Sequence, residues 1–94
     1  MPKTTKLKLR ADALAWREVE GEVVALDTRS SRYLAINRSG AALWPALSKG
    51  ATRGELVSQL QGAFGTDAGR AIEDVDAFLS ALRERGLLLA VDSG

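Results

Sequence analysis

Arg29-Ser-Ser-Arg-Tyr-Leu-Ala-Ile-Asn-Arg-Ser-Gly-Ala-Ala-Leu-Trp44 is the stretch that decides the fold. Arg32 to Ile36 reads as an alternating strand. After Asn37 the period lengthens, and Ala42, Leu43, Trp44 and Leu47 recur as on one face of a helix. Ser39 is the expected N-cap of that helix. Pro45 then lies beyond the first turn, where its missing N–H costs about 3 kcal/mol. The helix is therefore expected to kink there or to be very short, and Lys49-Gly50 ends it. A strand runs straight into a helix with no reactive side chain between them.

Toward the N-terminus, Leu14 to Val19 alternates with Leu14 and Trp16 on one face and Arg17 on the other. Glu20-Gly21 reads as a two-residue hairpin turn, since glycine supplies the positive φ such turns need. Glu22 to Asp27 is the next strand, and Thr28 to Ser31 connects it to Arg32–Ile36. Links this short cannot make parallel crossovers, so the three strands should pair as an antiparallel meander. Leu7 to Arg10 also alternates, as a short strand or an extended lead-in. The basic residues Lys3, Lys6, Lys8 and Arg10 around it suggest a solvated, frayed arm over residues 1–11.

Toward the C-terminus, Thr52-Arg-Gly-Glu55 has the spacing of a capping box. Leu56, Leu60 and Phe64 follow on one face, with Val57 beside them, and Gly65 closes the second helix. Thr66 or Asp67 caps a third helix with a stripe of Ile72, Val75, Leu79 and Leu82, widened by Ala71 and Phe78. Gly86 is the expected C-terminal glycine. Leu87 to Val91 reads as a terminal strand, and Asp92-Ser-Gly94 is expected to fray. The expectation is an α+β fold: a winged helix-turn-helix with a three-stranded antiparallel sheet followed by three helices.

The chain has 94 residues, room for one domain, here residues 12–91 behind the basic arm. It is 46% hydrophobic and 27% charged, the profile of a globular rather than a disordered chain. Its net charge of +1 creates no global field for nucleic acid. With four of the 13 basic residues in the first ten positions, the remainder carries nine against 12 acidic residues. Cysteine and histidine are both absent, which removes disulfides, thiol nucleophiles, imidazole bases and the usual zinc ligands. No apolar run is long enough to span a membrane and none has the form of a secretory signal, so a cytoplasmic location is expected.

Glu73, Asp74 and Asp76 cluster on the third helix, but neighbouring helical residues point in different directions and cannot converge on one ion. A solvated acidic face is the plainer account. Gly62-Ala-Phe-Gly65 and Asp67-Ala-Gly69 lack the lysine of a phosphate loop. No catalytic residue, metal site or cofactor is therefore expected. The same acidic side chains on the third helix would repel backbone phosphates, which argues against DNA. What remains is the free edge of the last meander strand. Arg29, Arg32 and Arg38 could blunt it. Alternatively it could accept a peptide as an added strand, walled by the third helix. The residues alone fit both.

The runs Trp16-Arg-Glu-Val-Glu-Gly-Glu-Val-Val-Ala-Leu-Asp27 and Arg32-Tyr-Leu-Ala-Ile-Asn-Arg-Ser-Gly-Ala-Ala-Leu-Trp44 resemble the PqqD-like family. So do Gly50-Ala-Thr-Arg-Gly-Glu-Leu56, Asp74-Val-Asp-Ala-Phe-Leu79 and Leu82-Arg-Glu-Arg-Gly-Leu87. The resemblance covers roughly residues 12–89, and its specificity lies in the ordered set. Its members, also called RiPP recognition elements, bind the leader of a ribosomally made precursor peptide and present it to a modifying enzyme. The resemblance implies that Arg32, Tyr33, Leu34, Ala35 and Ile36 form the docking strand. It implies that Asp74, Val75, Phe78, Ala81, Leu82 and Arg85 line or border the opposing helix. The implied partners are a precursor leader peptide and a protease, cyclase or radical-SAM enzyme. The Leu-Asp-x-x-x-x-x-Tyr-Leu form (Leu26 to Leu34) and the Gly-Ala-x-Leu-Trp form lean toward lasso-peptide and other standalone members rather than the quinone pathway. The basic arm departs from the family pattern; it or the first two helices would meet the enzyme. A proline at Leu34 should disturb strand addition if that amide faces outward. A winged-helix DNA-binding protein and a non-catalytic subunit of an enzyme complex are the competing readings.

Overall fold

A computed structural model describes residues 4–93, so Lys3 of the basic arm and the terminal Gly94 lie outside the described residues. The elements in chain order are β1 (Thr4–Leu9), a single 3₁₀ turn (Ala11–Ala13), β2 (Leu14–Val19), β3 (Glu22–Asp27), β4 (Arg32–Ile36), α1 (Arg38–Lys49), α2 (Arg53–Phe64), α3 (Ala68–Glu84) and β5 (Leu88–Ser93). The expected meander is present: β2, β3 and β4 form an antiparallel three-stranded sheet in sequential order. Glu20 and Gly21 both take positive φ, 50° and 79°, as a two-residue hairpin turn requires.

The N-terminal arm differs from the frayed expectation. Thr4–Leu9 pairs antiparallel with β5 as a second, two-stranded sheet, from Thr4 opposite Ser93 to Leu9 opposite Leu88. Asp92 and Ser93 are thus in a strand and not frayed. Alternation is the reason: Leu7 and Leu9 are buried while Lys6 and Lys8 are exposed, so the lysines sit on the outer face of a docked strand. Leu7 and Ala51 also exchange backbone hydrogen bonds of 2.7 and 2.9 Å, tying β1 to the α1–α2 link.

For α1 one expectation changes and one narrows. Its N-cap is Asn37, not Ser39; the Asn37 side chain accepts from the Gly40 amide at 2.8 Å. The helix also runs its full 12 residues through Pro45. Leu43, Trp44 and Leu47 are completely buried, and that burial outweighs the local loss at an exposed proline. In α2 the capping box between Thr52 and Glu55 is complete, and Gly65 closes the helix in the left-handed conformation.

Asp67 caps α3. At the other end Gly86 has φ +69°, and the amides of Gly86 and Leu87 bond back to the carbonyls of Arg83 and Leu82. That is a Schellman closure, sealed by the buried side chains of Leu82 and Leu87. The stripe of α3 is Ala71, Val75, Leu79 and Leu82; Ile72 lies outside it, 37% exposed. One core joins these residues to Leu34, Ala25, Val23, Leu43, Trp44, Leu47, Leu56 and Leu60.

Candidate functional site

Strand β4 is an edge of the three-stranded sheet, β2 being the other, and the pairing register fixes which of the β4 backbone groups face outward. The two-residue turn makes Val19 and Glu22 a hydrogen-bonded pair, and such pairs alternate along an antiparallel ladder. The Thr28 amide donating to the Ala13 carbonyl at 3.0 Å continues the same alternation. Glu22, Val24 and Leu26 therefore bond to β2, while Val23, Ala25 and Asp27 bond to β4. Their partners Ile36, Leu34 and Arg32 turn their amides inward. Tyr33 and Ala35 are left with N–H and C=O aimed off the edge. The Leu34 amide faces β3, so a proline at Leu34 strikes the internal ladder rather than the free edge.

Side chains follow the opposite logic. Leu34 is buried and Ile36 half-buried on the face covered by the helices, whereas Tyr33, 75% exposed, stands on the open face. Between this edge and α3 runs a groove of about 420 Å³. Its strand side is Tyr33, Leu34, Ala35 and Ile36, and its helix side is Asp74, Ala77, Phe78, Ala81, Leu82 and Arg85. Asn37 and Ser39 complete one end. The helical residues recur every three or four positions and so form one stripe.

The structure thus brings together nine of the eleven residues named from the sequence. Arg32 is exposed at the start of the strand, outside the groove lining, and Val75 is fully buried behind the wall in the core. Asn37, Ser39 and Ala77 line the groove without having been named. Ala77 was legible as the i+3 neighbour of Asp74. Asn37 and Ser39 join only because the chain turns into α1 against α3.

Contacts at both ends fix the strand and helix walls relative to each other. Gly40 lets α1 approach so closely that a Cβ there would lie 2.6 Å from the Phe78 ring and 2.8 Å from the Ile36 Cγ2. Phe78 in turn packs against Trp44 with ring centroids 6.3 Å apart, and Trp44 meets Trp16 edge-on at 5.8 Å. At the other end Arg29 donates to the carbonyls of Arg85 and Gly86 at 3.2 and 3.3 Å, capping the negative end of α3. Arg29 is itself held by Asp27, whose carboxylate accepts from the Arg29 amide at 3.0 Å and lies 3.5 Å from its guanidinium. Burial pushes the Asp27 carboxyl up, but the amide and charge of Arg29 and the bonds from Ser30 together hold it below its ordinary value.

Two of the three arginines that could blunt the edge are occupied elsewhere. Arg29 is committed to α3, and Arg38 lies over the Phe64 ring, 5.8 Å from its centroid. The acidic cluster of α3 also separates. Asp76 turns to α2 and takes two hydrogen bonds from Arg53, 2.7 and 2.8 Å, which lower its pKa. Asp74 turns to the groove, and among the described residues no group of acidic side chains could hold a metal ion. No helix among them is long and apolar enough to cross a membrane.

Solved structures share this fold. The chain is similar to TbiB1 in complex with the TbiA(beta) leader peptide, with a TM-score of 0.77 and 27% identity over 86% of this chain and 93% of that one. It is also similar to lasso peptide synthetase B1 complexed with the leader peptide, with a TM-score of 0.74 and 24% identity over 88% and 96%. That second likeness speaks to the fold. No curated protein sequence matches this chain. The model of coenzyme PQQ synthesis protein D matches residues 22–88, from β3 through the free-edge strand and all three helices. Spanning well over half of the sequence, that match makes the chain a member of the PqqD family.

Proposed function

We propose that this protein binds the leader segment of a ribosomally made precursor peptide as a fourth strand on β4 and presents it to a modifying enzyme. The observation that carries this reading is the free edge itself. Tyr33 and Ala35 direct their backbone donors and acceptors beside an apolar groove whose far wall is α3. An extended peptide there satisfies both residues' backbone groups and lays alternate side chains into the groove. TbiB1, with the same fold, is seen with a leader peptide. The protein's own part is binding and orientation; the covalent chemistry belongs to the partner enzyme.

Amide hydrogen exchange, with the leader of the precursor encoded beside this gene, tests the reading. In the free protein the Leu34 amide, bonded to β3, is expected to be protected, and those of Tyr33 and Ala35 to exchange fast. Leader binding is expected to slow Tyr33 and Ala35 and leave Leu34 nearly unchanged. Binding that leaves Tyr33 and Ala35 exchanging freely rules out strand addition.

A further inference from the structure

The groove carries opposite charges at its two ends. Along the α3 stripe the order is Asp74, Phe78, Ala81, Arg85, so an anion and a cation bracket an apolar centre. Neither charge is spent: among the described residues no ion pair or side-chain hydrogen bond engages Asp74 or the guanidinium of Arg85. Their neighbours on the same helix, Arg53-bound Asp76 and the exposed Arg83, face elsewhere and do not line the groove.

The two ends are fixed relative to β4. Phe78 and Ile36 meet at Gly40, which places Asp74, one turn earlier on the helix, beside Asn37 and Ser39. Arg29, in the loop before β4, holds the carbonyl of Arg85, which places the positive end beside Tyr33. Strand β4 therefore runs antiparallel to α3. A guest pairing antiparallel with β4, as every strand pair here does, starts at Asp74 and finishes at Arg85.

Spacing sets the length. Eleven residues of helix span roughly 16 Å at ~1.5 Å each. An extended chain covers that in about five residues at ~3.4 Å each. Side chains of one parity enter the groove, so the first, third and fifth residues of the guest face inward. The small side chains of Ala77 and Ala81 leave room at the centre, between Leu34 and Leu82, for a bulky apolar residue.

Resting on the strand-addition reading, we propose that the groove selects a charge-polar peptide. Its occupant carries Lys or Arg at a first position, a large apolar residue two positions later and Asp or Glu two positions beyond that. The polarity also fixes direction, because a guest entering the other way meets like charge at both ends.

Synthetic peptides of equal composition test this, one carrying Lys-x-Leu-x-Glu and one the reversed order Glu-x-Leu-x-Lys, titrated by fluorescence anisotropy. The wild-type protein is expected to favour the first by about tenfold. The double variant Asp74→Lys, Arg85→Glu is expected to favour the second. Equal affinity for both orders in the wild-type protein overturns the charge polarity while leaving strand addition intact. So does binding of the neighbouring precursor's leader with neither peptide bound. If that leader fails as well, the peptide-binding reading falls with the inference.

Discussion

At position 40 a side chain has no room, and the consequence reaches the groove. Alanine there gains about 1 kcal/mol of helix propensity. Its Cβ, however, must displace the half-buried Phe78 ring or Ile36. The ring's open direction is the groove. Gly40→Ala is therefore expected to change stability by under about 2 kcal/mol while weakening leader binding about tenfold, read by urea unfolding beside a peptide titration. Asp27 gives a second prediction. Its folded pKa is depressed, so its contribution is present above the unfolded value of about 3.9 and lost as pH falls through the folded one. Asp27→Asn should lower stability at pH 7 and flatten the loss below about pH 4. Asp76 and Glu55, also depressed, leave part of that acid limb in place. An unchanged acid limb in the variant would show that Asp27 does not hold Arg29.

Among the elements, β1 and α2 behave differently under mutation. β1 holds on through Leu7, Leu9 and its ladder with β5. Leu9 is 1% exposed, and Leu9→Ala is expected to cost about 2–5 kcal/mol, seen as a lower urea midpoint. A cost near zero would mean that β1 is undocked in solution. The α2 cap is a smaller matter: Thr52→Ala removes one reciprocal bond of the capping box and should cost about 1 kcal/mol. Neither change touches the groove, so leader affinity of the folded protein should stay within about twofold of wild type.

For the whole molecule, the charges separate leader binding from DNA binding. Exposed Glu73 and half-buried Asp74 stand on the helix that a winged-helix reader would offer to DNA. Leader affinity, with charge only at the groove ends, should fall by a few-fold between 50 and 200 mM salt. A protein neutralising six or more phosphates loses roughly a thousandfold over that range. The chain supplies its own reporter, since Phe78 lies against Trp44 and Trp44 against Trp16. A guest in the groove should therefore shift tryptophan emission. Titrations of leader and of duplex DNA across salt concentrations distinguish the two functions by slope.

The elements themselves were written locally. Period-two alternation marked β2 and β4, the run rich in Val23, Val24 and Leu26 marked β3, the Thr52–Glu55 spacing marked the start of α2, and Gly86 marked the end of α3, because each rests on residues only a few positions apart. The groove's helical wall was named from the family resemblance, and Asp74, Phe78, Ala81 and Arg85 do recur at spacings of three and four along α3. What needed the tertiary structure depends on residues far apart in the chain. Lys6 and Lys8 read as a solvated arm until β5 pairs with β1 and Leu9 reaches the core. Arg29 was one of three arginines that could have guarded the edge; the structure commits it to the end of α3, 56 residues away. Ser39 and Asn37 both fit the cap by residue type; the Asn37 side chain takes it by accepting from the Gly40 amide, where α1 lies against Phe78. Alternation shows that a strand has two faces; only the pairing register shows that Tyr33 and Ala35, and not Leu34, turn their backbone toward a guest.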